Sequence, residues 1–164
     1  EGLKAADPDI VQTVSVTPRK PRLGERNGVD YYFETAPEFK RRIDNGEFVE
    51  YVTYGGNCYG TLKSEVLRLS GQGKTVVLVI EVRGAMNIKN AFPEAVSIFI
   101  EPPSMEELIR RITKRGDNTE AEIAMRLKIA QDEMTYKDKY DHCVVNDDLD
   151  ACIKEVYQII KKGE

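Results

Sequence analysis

The residues best suited to chemistry crowd into one stretch of the chain, from Ser15 to Thr61. Arg19 and Arg22 stand three apart in a loop stiffened by Pro18 and Pro21. Guanidinium groups bind phosphate through forked, charge-assisted hydrogen bonds. Prolines reduce the freedom that such a loop would lose on binding. The alternative is a solvated basic loop, since Lys20 lies beside the arginines. Tyr31 and Tyr59 each offer a hydroxyl to a phosphate and a ring to a base, or else pack as ordinary strand aromatics. Glu50 lies inside an apolar run. A carboxylate there can accept from the N1–H and the exocyclic amine of guanine, a pair that adenine does not present; the alternative is an outward-facing strand residue. Ser15 and Thr61 add hydroxyls. Two forked cations, phenols, a carboxylate and hydroxyls are the parts of a pocket for a phosphorylated purine.

Further along, Glu81 ends the most aliphatic run of the chain, Thr75–Val82. Ligands of open α/β sheets gather at the carboxyl ends of strands, and a carboxylate there is costly unless it is paired. Arg111 and Arg115 share a helix face at i, i+4, and Arg126 follows on the next predicted helix. Arginines on a movable segment can neutralise a transferring phosphoryl group; the alternative is a charged helix face with Glu106/Arg110 and Glu107/Arg111 pairs. His142, the one histidine, has no partners at metal-ligand spacing, and no metal site is expected. No serine or cysteine sits in a nucleophile-elbow pattern.

The elements that must position these groups follow from pattern and punctuation. A helix tail is expected to end near Asp7-Pro8, followed by a strand over Val11–Val16 and an irregular loop around Pro18, Pro21 and Gly24. A short strand, Tyr31–Phe33, leads to a helix capped by Thr35 with Glu38 three residues on, carrying Phe39 and Ile43 inward and stopping near Asn45-Gly46. Phe48–Tyr54 reads as a strand, Gly55-Gly56-Asn57 as a turn, and Ser64–Gln72 as a helix with Val66, Leu67 and Leu69 apolar. Thr75–Val82 predicts a central strand buried on both faces. Val96–Ile100 predicts another strand, then a helix from a capping box at Ser104 to about Arg115. A helix over Glu120–Thr135, a strand over Cys143–Asn146 and an amphipathic helix over Leu149–Lys161 complete the pattern. Aliphatic strands alternating with helices imply a three-layer α/β domain with a parallel sheet. The aromatic, polar region 31–61 reads as a mixed-β insertion.

With 164 residues one domain is expected. A net charge of −4 argues against a generic nucleic-acid or membrane-surface binder. Cys58, Cys143 and Cys152 make an odd number without metal spacing, which reads as free thiols in a reducing compartment. With no signal peptide and no apolar run long enough to span a bilayer, the expected location is the cytoplasm.

The ordered set SVTPRKPR, GERNGVDYYF, GEFVEY, GNCYGT, VRGA, SIFIEPPSMEEL, RG…TE…RL and VVNDDLD resembles the guanylate kinases, nucleoside monophosphate kinases of the P-loop superfamily. The resemblance runs from about Asp7 to the end. It implies a parallel-sheet core of P-loop kinase type, a GMP-binding subdomain at about 31–61 and a helical lid at about 111–126. It implies phosphoryl transfer from ATP, with Mg²⁺, to GMP. By position it implies phosphate contacts from Arg19, Arg22, Tyr31 and Tyr59, and guanine contacts from Ser15, Glu50, Thr61 and Glu81. Arg115 and Arg126 would act at the transferred phosphoryl group, and Arg111 and Asn146 would contact ATP. GMP and ATP are then the expected partners, with neither nucleic acid nor membrane, in a monomer or homodimer.

Three positions depart from the family pattern. Val79 stands where an acid is usual, Glu81 where aspartate is commoner, and Pro18 where threonine is. In addition, the family's G-x-x-x-x-G-K phosphate loop is not among these residues; Gly71-Gln72-Gly73-Lys74-Thr75 reads as a turn before a strand, not as a strand-to-helix loop. The natural protein is therefore expected to be longer, and this chain alone to be inactive. Two other readings remain at this point: a catalytically silent module that binds GMP or phosphopeptides, and a part that folds only by association, pairing an exposed strand edge.

Overall fold

The computed structural model describes residues 1–114 and 119–163. The chain divides into two compact units, one made of Glu1 and Leu3–Ala95, the other of Gly2 and the chain from Val96 onward.

Near the start of the chain a one-turn helix, α1 (Gly2–Ala6), precedes β1 (Ile10–Gln12). In the first unit β1 pairs in parallel with β6 (Thr75–Val77), Ile10 opposite Thr75. Between them in sequence lies a four-stranded mixed sheet in the order β3-β2-β5-β4. Its strands are β2 (Val16–Thr17), β3 (Tyr32–Phe33), β4 (Phe48–Tyr54) and β5 (Asn57–Leu62). Helix α2 (Ala36–Asp44) starts where expected: Thr35 accepts from the Glu38 amide while the Glu38 carboxylate reaches back to the Thr35 amide. The apolar face of α2 buries Phe39 against Phe48, ring centroids 4.7 Å apart. Val16 completes this core, with Tyr32, Ile43, Cys58 and Leu62 packed around it. Arg42 fastens the helix to the sheet. Its Nε donates to both oxygens of Glu34 and its Nη1 to Glu47 at 2.6 Å.

The β4–β5 hairpin turns on Gly55 and Gly56, at φ +55° and +78°. A two-residue turn matching the strand twist needs positive φ at both positions, which glycine supplies without strain. At Gly60 the demand is for space: a Cβ would lie 2.8 Å from the Phe48 ring.

Helix α3 (Lys63–Ser70) buries Leu69, but Leu67, another of its expected apolar positions, is 70% exposed. The strand expected over Val11–Val16 is broken, because pairing passes from β6 to the mixed sheet between Gln12 and Val16. The long strand expected over Thr75–Val82 is only three residues. Val79 is 70% exposed rather than buried on both faces, and Val82 opens helix α4 (Val82–Ala91). A continuous aliphatic run does not by itself fix where pairing stops. The turn at 71–73, with Gly73 at φ +70°, leads from helix into strand as expected, and Lys74 is ion-paired with Asp9.

In the second unit β7 (Ile98–Glu101) pairs in parallel with β8 (His142–Val145), Ile98 opposite His142. The α-helices α5 (Met105–Lys114), α6 (Glu120–Met134) and α7 (Leu149–Lys162) accompany them. Ser104 Oγ accepts from the Glu107 amide, but the Glu107 carboxylate is taken by Arg110 and Arg111, so the reciprocal half of the expected box gives way to an ion-pair cluster. Thr119 and Glu122 form a full capping box on α6, and Asp148 caps α7. Helix α7 buries Cys152 and Val156, and Val144 of β8 is 1% exposed. Parallel strand pairs among helices give the mixed α/β fold expected. Among the described residues no helix is long and apolar enough to cross a membrane.

Candidate functional site

Side chains alternate across a strand, and that rule sorts the mixed sheet into two faces. Val16, Tyr32, Cys58 and Leu62 belong to the apolar face described above. Thr17, Tyr31, Tyr59 and Thr61 therefore belong to the other. Strand β4 would break this order by alternation alone, since Phe48 and Glu50 are two apart. A β-bulge intervenes: Phe48 pairs with Leu62, yet Glu50 pairs with Thr61. The extra residue turns Glu50 onto the same face as Thr61 and Tyr59, the use to which bulges near functional sites are put.

On that face Glu50 is 5% exposed and Thr61 fully buried. The Thr61 hydroxyl donates to Glu50 Oε1 at 2.7 Å. Glu50 Oε2 is buried and has no hydrogen-bond partner. Burial pushes the Glu50 carboxyl above its ordinary range, the Thr61 hydrogen bond opposes this, and the charge of Glu81 adds to it. Beside Oε2 lies Gly84 in the first turn of α4, where a Cβ would fall 2.8 Å from that oxygen. Glu81, half-buried, is the N-cap of α4 and accepts from the Gly84 amide at 2.6 Å. Glu81 thus sits at a helix start and not at a strand end, with one oxygen holding the backbone that faces Glu50.

Toward the other edge of the sheet, Arg19 follows β2, its amide donating to Thr17 Oγ1 at 3.3 Å. Its guanidinium lies over the Tyr31 and Phe33 rings, 5.2 and 5.7 Å from the centroids. Tyr31 in turn meets Tyr59, ring centroids 5.8 Å apart. Arg19 Nη1 and Nη2 donate to the two oxygens of Glu25, each at 2.9 Å. Arg19 Nε is buried without a partner. Glu25 also accepts from the Arg22 amide at 2.7 Å. Held by the Arg19 guanidinium first and the Arg22 amide second, the Glu25 carboxyl is pulled down to about 2. The Glu25 pair, with a smaller contribution from Tyr59, raises Arg19 despite its burial.

Of the residues expected from sequence, Arg19, Tyr31, Glu50, Tyr59 and Thr61 thus share one sheet face, and Glu81 reaches it through α4. The half-buried Ser15 contributes its main-chain carbonyl to the Tyr32 amide, tying β2 to β3. The Arg22 side chain is exposed. In the second unit Arg111 bonds Glu107 at 2.6 Å and the Asn146 carbonyl at 2.8 Å, so these two expected residues do meet. Arg126 is exposed on α6. Arg115 lies outside the described residues. The sequence reading missed Glu25, Thr17 and Gly84. Only Glu25 carried a signal, as an acid three residues after Arg22 in the same loop.

Comparison with known proteins matches residues 3–163 to the guanylate kinase family model. A guanylate kinase of Synechococcus sp. (strain JA-3-3Ab) is 42% identical over 158 residues, covering 96% of this chain and 73% of that protein. The guanylate kinase of Caldanaerobacter subterraneus subsp. tengcongensis is 45% identical over 152 residues, covering 93% and 74%. The crystal structure of guanylate kinase from Anaplasma phagocytophilum superposes with a TM-score of 0.83 at 36% identity, covering 98% of this chain and 79% of that one. The silent-module reading finds no support among these relatives.

Proposed function

This chain belongs to the guanylate kinase family, a family of ATP:GMP phosphotransferases, and from that premise we propose that it passes the γ-phosphoryl group of ATP to GMP, giving ADP and GDP. One observation carries the assignment of the GMP site. The sheet face that bears Tyr31 and Tyr59 holds two buried polar atoms without partners, Arg19 Nε and Glu50 Oε2, one cationic and one acidic. Buried polar groups are nearly always hydrogen-bonded, and an orphan calls for an explanation, which a ligand group can supply. A guanosine monophosphate has a group for each: a phosphate for the guanidinium, and the N1–H and exocyclic amine for the carboxylate. Arg19 and Glu50 also stand on opposite sides of β5, which spreads the two demands across the sheet as the two ends of a nucleotide require.

In this reading Arg19, Arg22, Tyr31 and Tyr59 hold the GMP phosphate, and Ser15, Glu50, Thr61 and Glu81 recognise guanine. Residues 31–61 form the larger part of the GMP subdomain, to which β2 adds a strand. Residues 111–126 form the lid. Arg115 and Arg126 neutralise the transferring group, and Arg111 and Asn146 serve ATP, roles that rest on the family resemblance. A GMP phosphate oxygen attacks the γ-phosphorus, the bond to the β,γ-bridging oxygen breaks, and ADP leaves. The nucleophile is already ionised, so catalysis consists of alignment and charge neutralisation. Among the described residues no group of three or more His, Cys, Asp or Glu side chains could hold a metal. Mg²⁺ enters this reading with ATP, as part of that substrate. Coupled assay of ADP formation from MgATP tests the proposal: turnover should require GMP, and GMP-independent or absent turnover would end it.

A further inference from the structure

The donors of Arg19 can be counted. A guanidinium has five N–H groups. One Nη1 proton goes to Glu25 Oε2 and one to the Lys20 carbonyl, at 2.9 and 2.8 Å. One Nη2 proton goes to Glu25 Oε1 at 2.9 Å. What remains is the Nε proton, buried and unpartnered, and the second proton of Nη2, with the Tyr59 hydroxyl beside the guanidinium as a further acceptor. In a planar guanidinium these two lie side by side on one edge, a complete fork for two oxygens. The plane is restrained by the Tyr31 and Phe33 rings against which it lies. Glu25 spends its other capacity on the Arg22 amide, so one carboxylate fixes both arginine positions in the loop. The Arg19 and Glu25 side chains are 10% and 18% exposed, so this is a largely shielded pair rather than a surface contact.

We propose that Glu25 is a positioning residue for the phosphate subsite, occupying the outer edge of the Arg19 guanidinium so that its Nε–Nη2 edge is presented to the GMP phosphate. This rests on the GMP reading given above. A carboxylate near a phosphate also repels it, so two effects of opposite sign compete. Geometry favours positioning. Without Glu25 a mostly buried cation would lose its carboxylate partner at both Nη1 and Nη2 and keep only the Lys20 carbonyl, and the loop would have to be ordered anew at each binding event, a cost that preorganisation removes.

The test compares GMP with guanosine, measuring both affinities by calorimetry on the wild type and on the Glu25→Ala, Glu25→Gln, Arg19→Ala and Arg19→Ala/Glu25→Ala variants. Loss of a charge-assisted contact predicts that Glu25→Ala weakens GMP roughly tenfold or more. Guanosine, which lacks the phosphate, should change by less than about twofold, as expected of an independent site. That unchanged guanosine affinity also reports a folded pocket. Glu25→Gln, which keeps one acceptor, should fall between wild type and alanine. In the Arg19→Ala background, removing Glu25 should add less than about twofold. Unchanged or tighter GMP binding in Glu25→Ala overturns the proposal, as does equal weakening of GMP and guanosine, which would mark a merely structural role. A wild type that binds neither compound overturns the GMP site itself, and one that binds guanosine as well as GMP overturns its phosphate subsite.

Discussion

Glu50 joins two properties that pull against each other. It is buried with one oxygen unsatisfied, and its carboxyl is raised above the ordinary 4.5 chiefly by that burial. A folded-state acid with a raised pKa holds its proton over a window where the unfolded chain has lost it. Stability therefore falls as pH rises from 4.5 through the raised value, and the cost persists at neutral pH. Replacing Glu50 by glutamine removes that cost and keeps an acceptor for Thr61. Glu50→Gln should thus raise the melting temperature at pH 7 while weakening GMP and relaxing discrimination against AMP. Unchanged GMP affinity would remove Glu50 from the site. The same protonation sets a pH dependence for the base. As pH falls through the raised pKa, Glu50 loses an acceptor lone pair, and affinity should fall at a pH above that of an ordinary glutamate. Guanosine is the ligand for this titration, since the phosphate of GMP ionises near pH 6. Gly84 contributes by what it lacks, because a methyl group there would lie 2.8 Å from Glu50 Oε2.

At the scale of elements, the β4–β5 hairpin is the part on which the site depends. Its bulge gives Glu50 the site face while leaving Phe48 in the core. Its glycine at position 60 lets the Phe48 ring come close to the backbone. No positive φ is required of Gly60, so the constraint is one of volume alone. Gly60→Ala should then cost about 1–3 kcal/mol, the usual range for overpacking a close-fitted core, read as a drop in urea midpoint at constant m-value. The Thr35 cap offers a contrast, since its loss removes local hydrogen bonds without disturbing packing. Thr35→Ala should cost about 1 kcal/mol. If Gly60→Ala proves harmless, the Phe48 ring has room that the geometry denies it.

For the molecule as a whole, each unit carries among the described residues a carboxylate held down to about 2, Glu25 by Arg19 in the first and Glu107 by Arg110 and Arg111 in the second. A depressed carboxylate contributes stability above its unfolded value near 4.5, and loses it as pH falls toward 2. Both units should therefore weaken over that acid range. Circular dichroism melts between pH 5 and 2 check this: Glu25→Gln and Glu107→Gln should each flatten the acid limb relative to wild type. Parallel acid limbs in wild type and variants would show that neither pair matters to folding.

Local chemistry was legible in the sequence, and register was not. The capping box at Thr35 and the glycine turn at 55–56 are set by neighbours within a few residues, where side chain and backbone meet regardless of the rest. Where β6 stops, that Glu81 caps a helix, that Leu67 faces out, and which carboxylate holds Arg19 depend on strands and loops brought together from afar. The bulge at Glu50 makes the point most directly, since alternation along the strand would assign that residue to the apolar core. Only pairing with β5 turned it toward Thr61, because register is a property of two strands and is written in neither one alone.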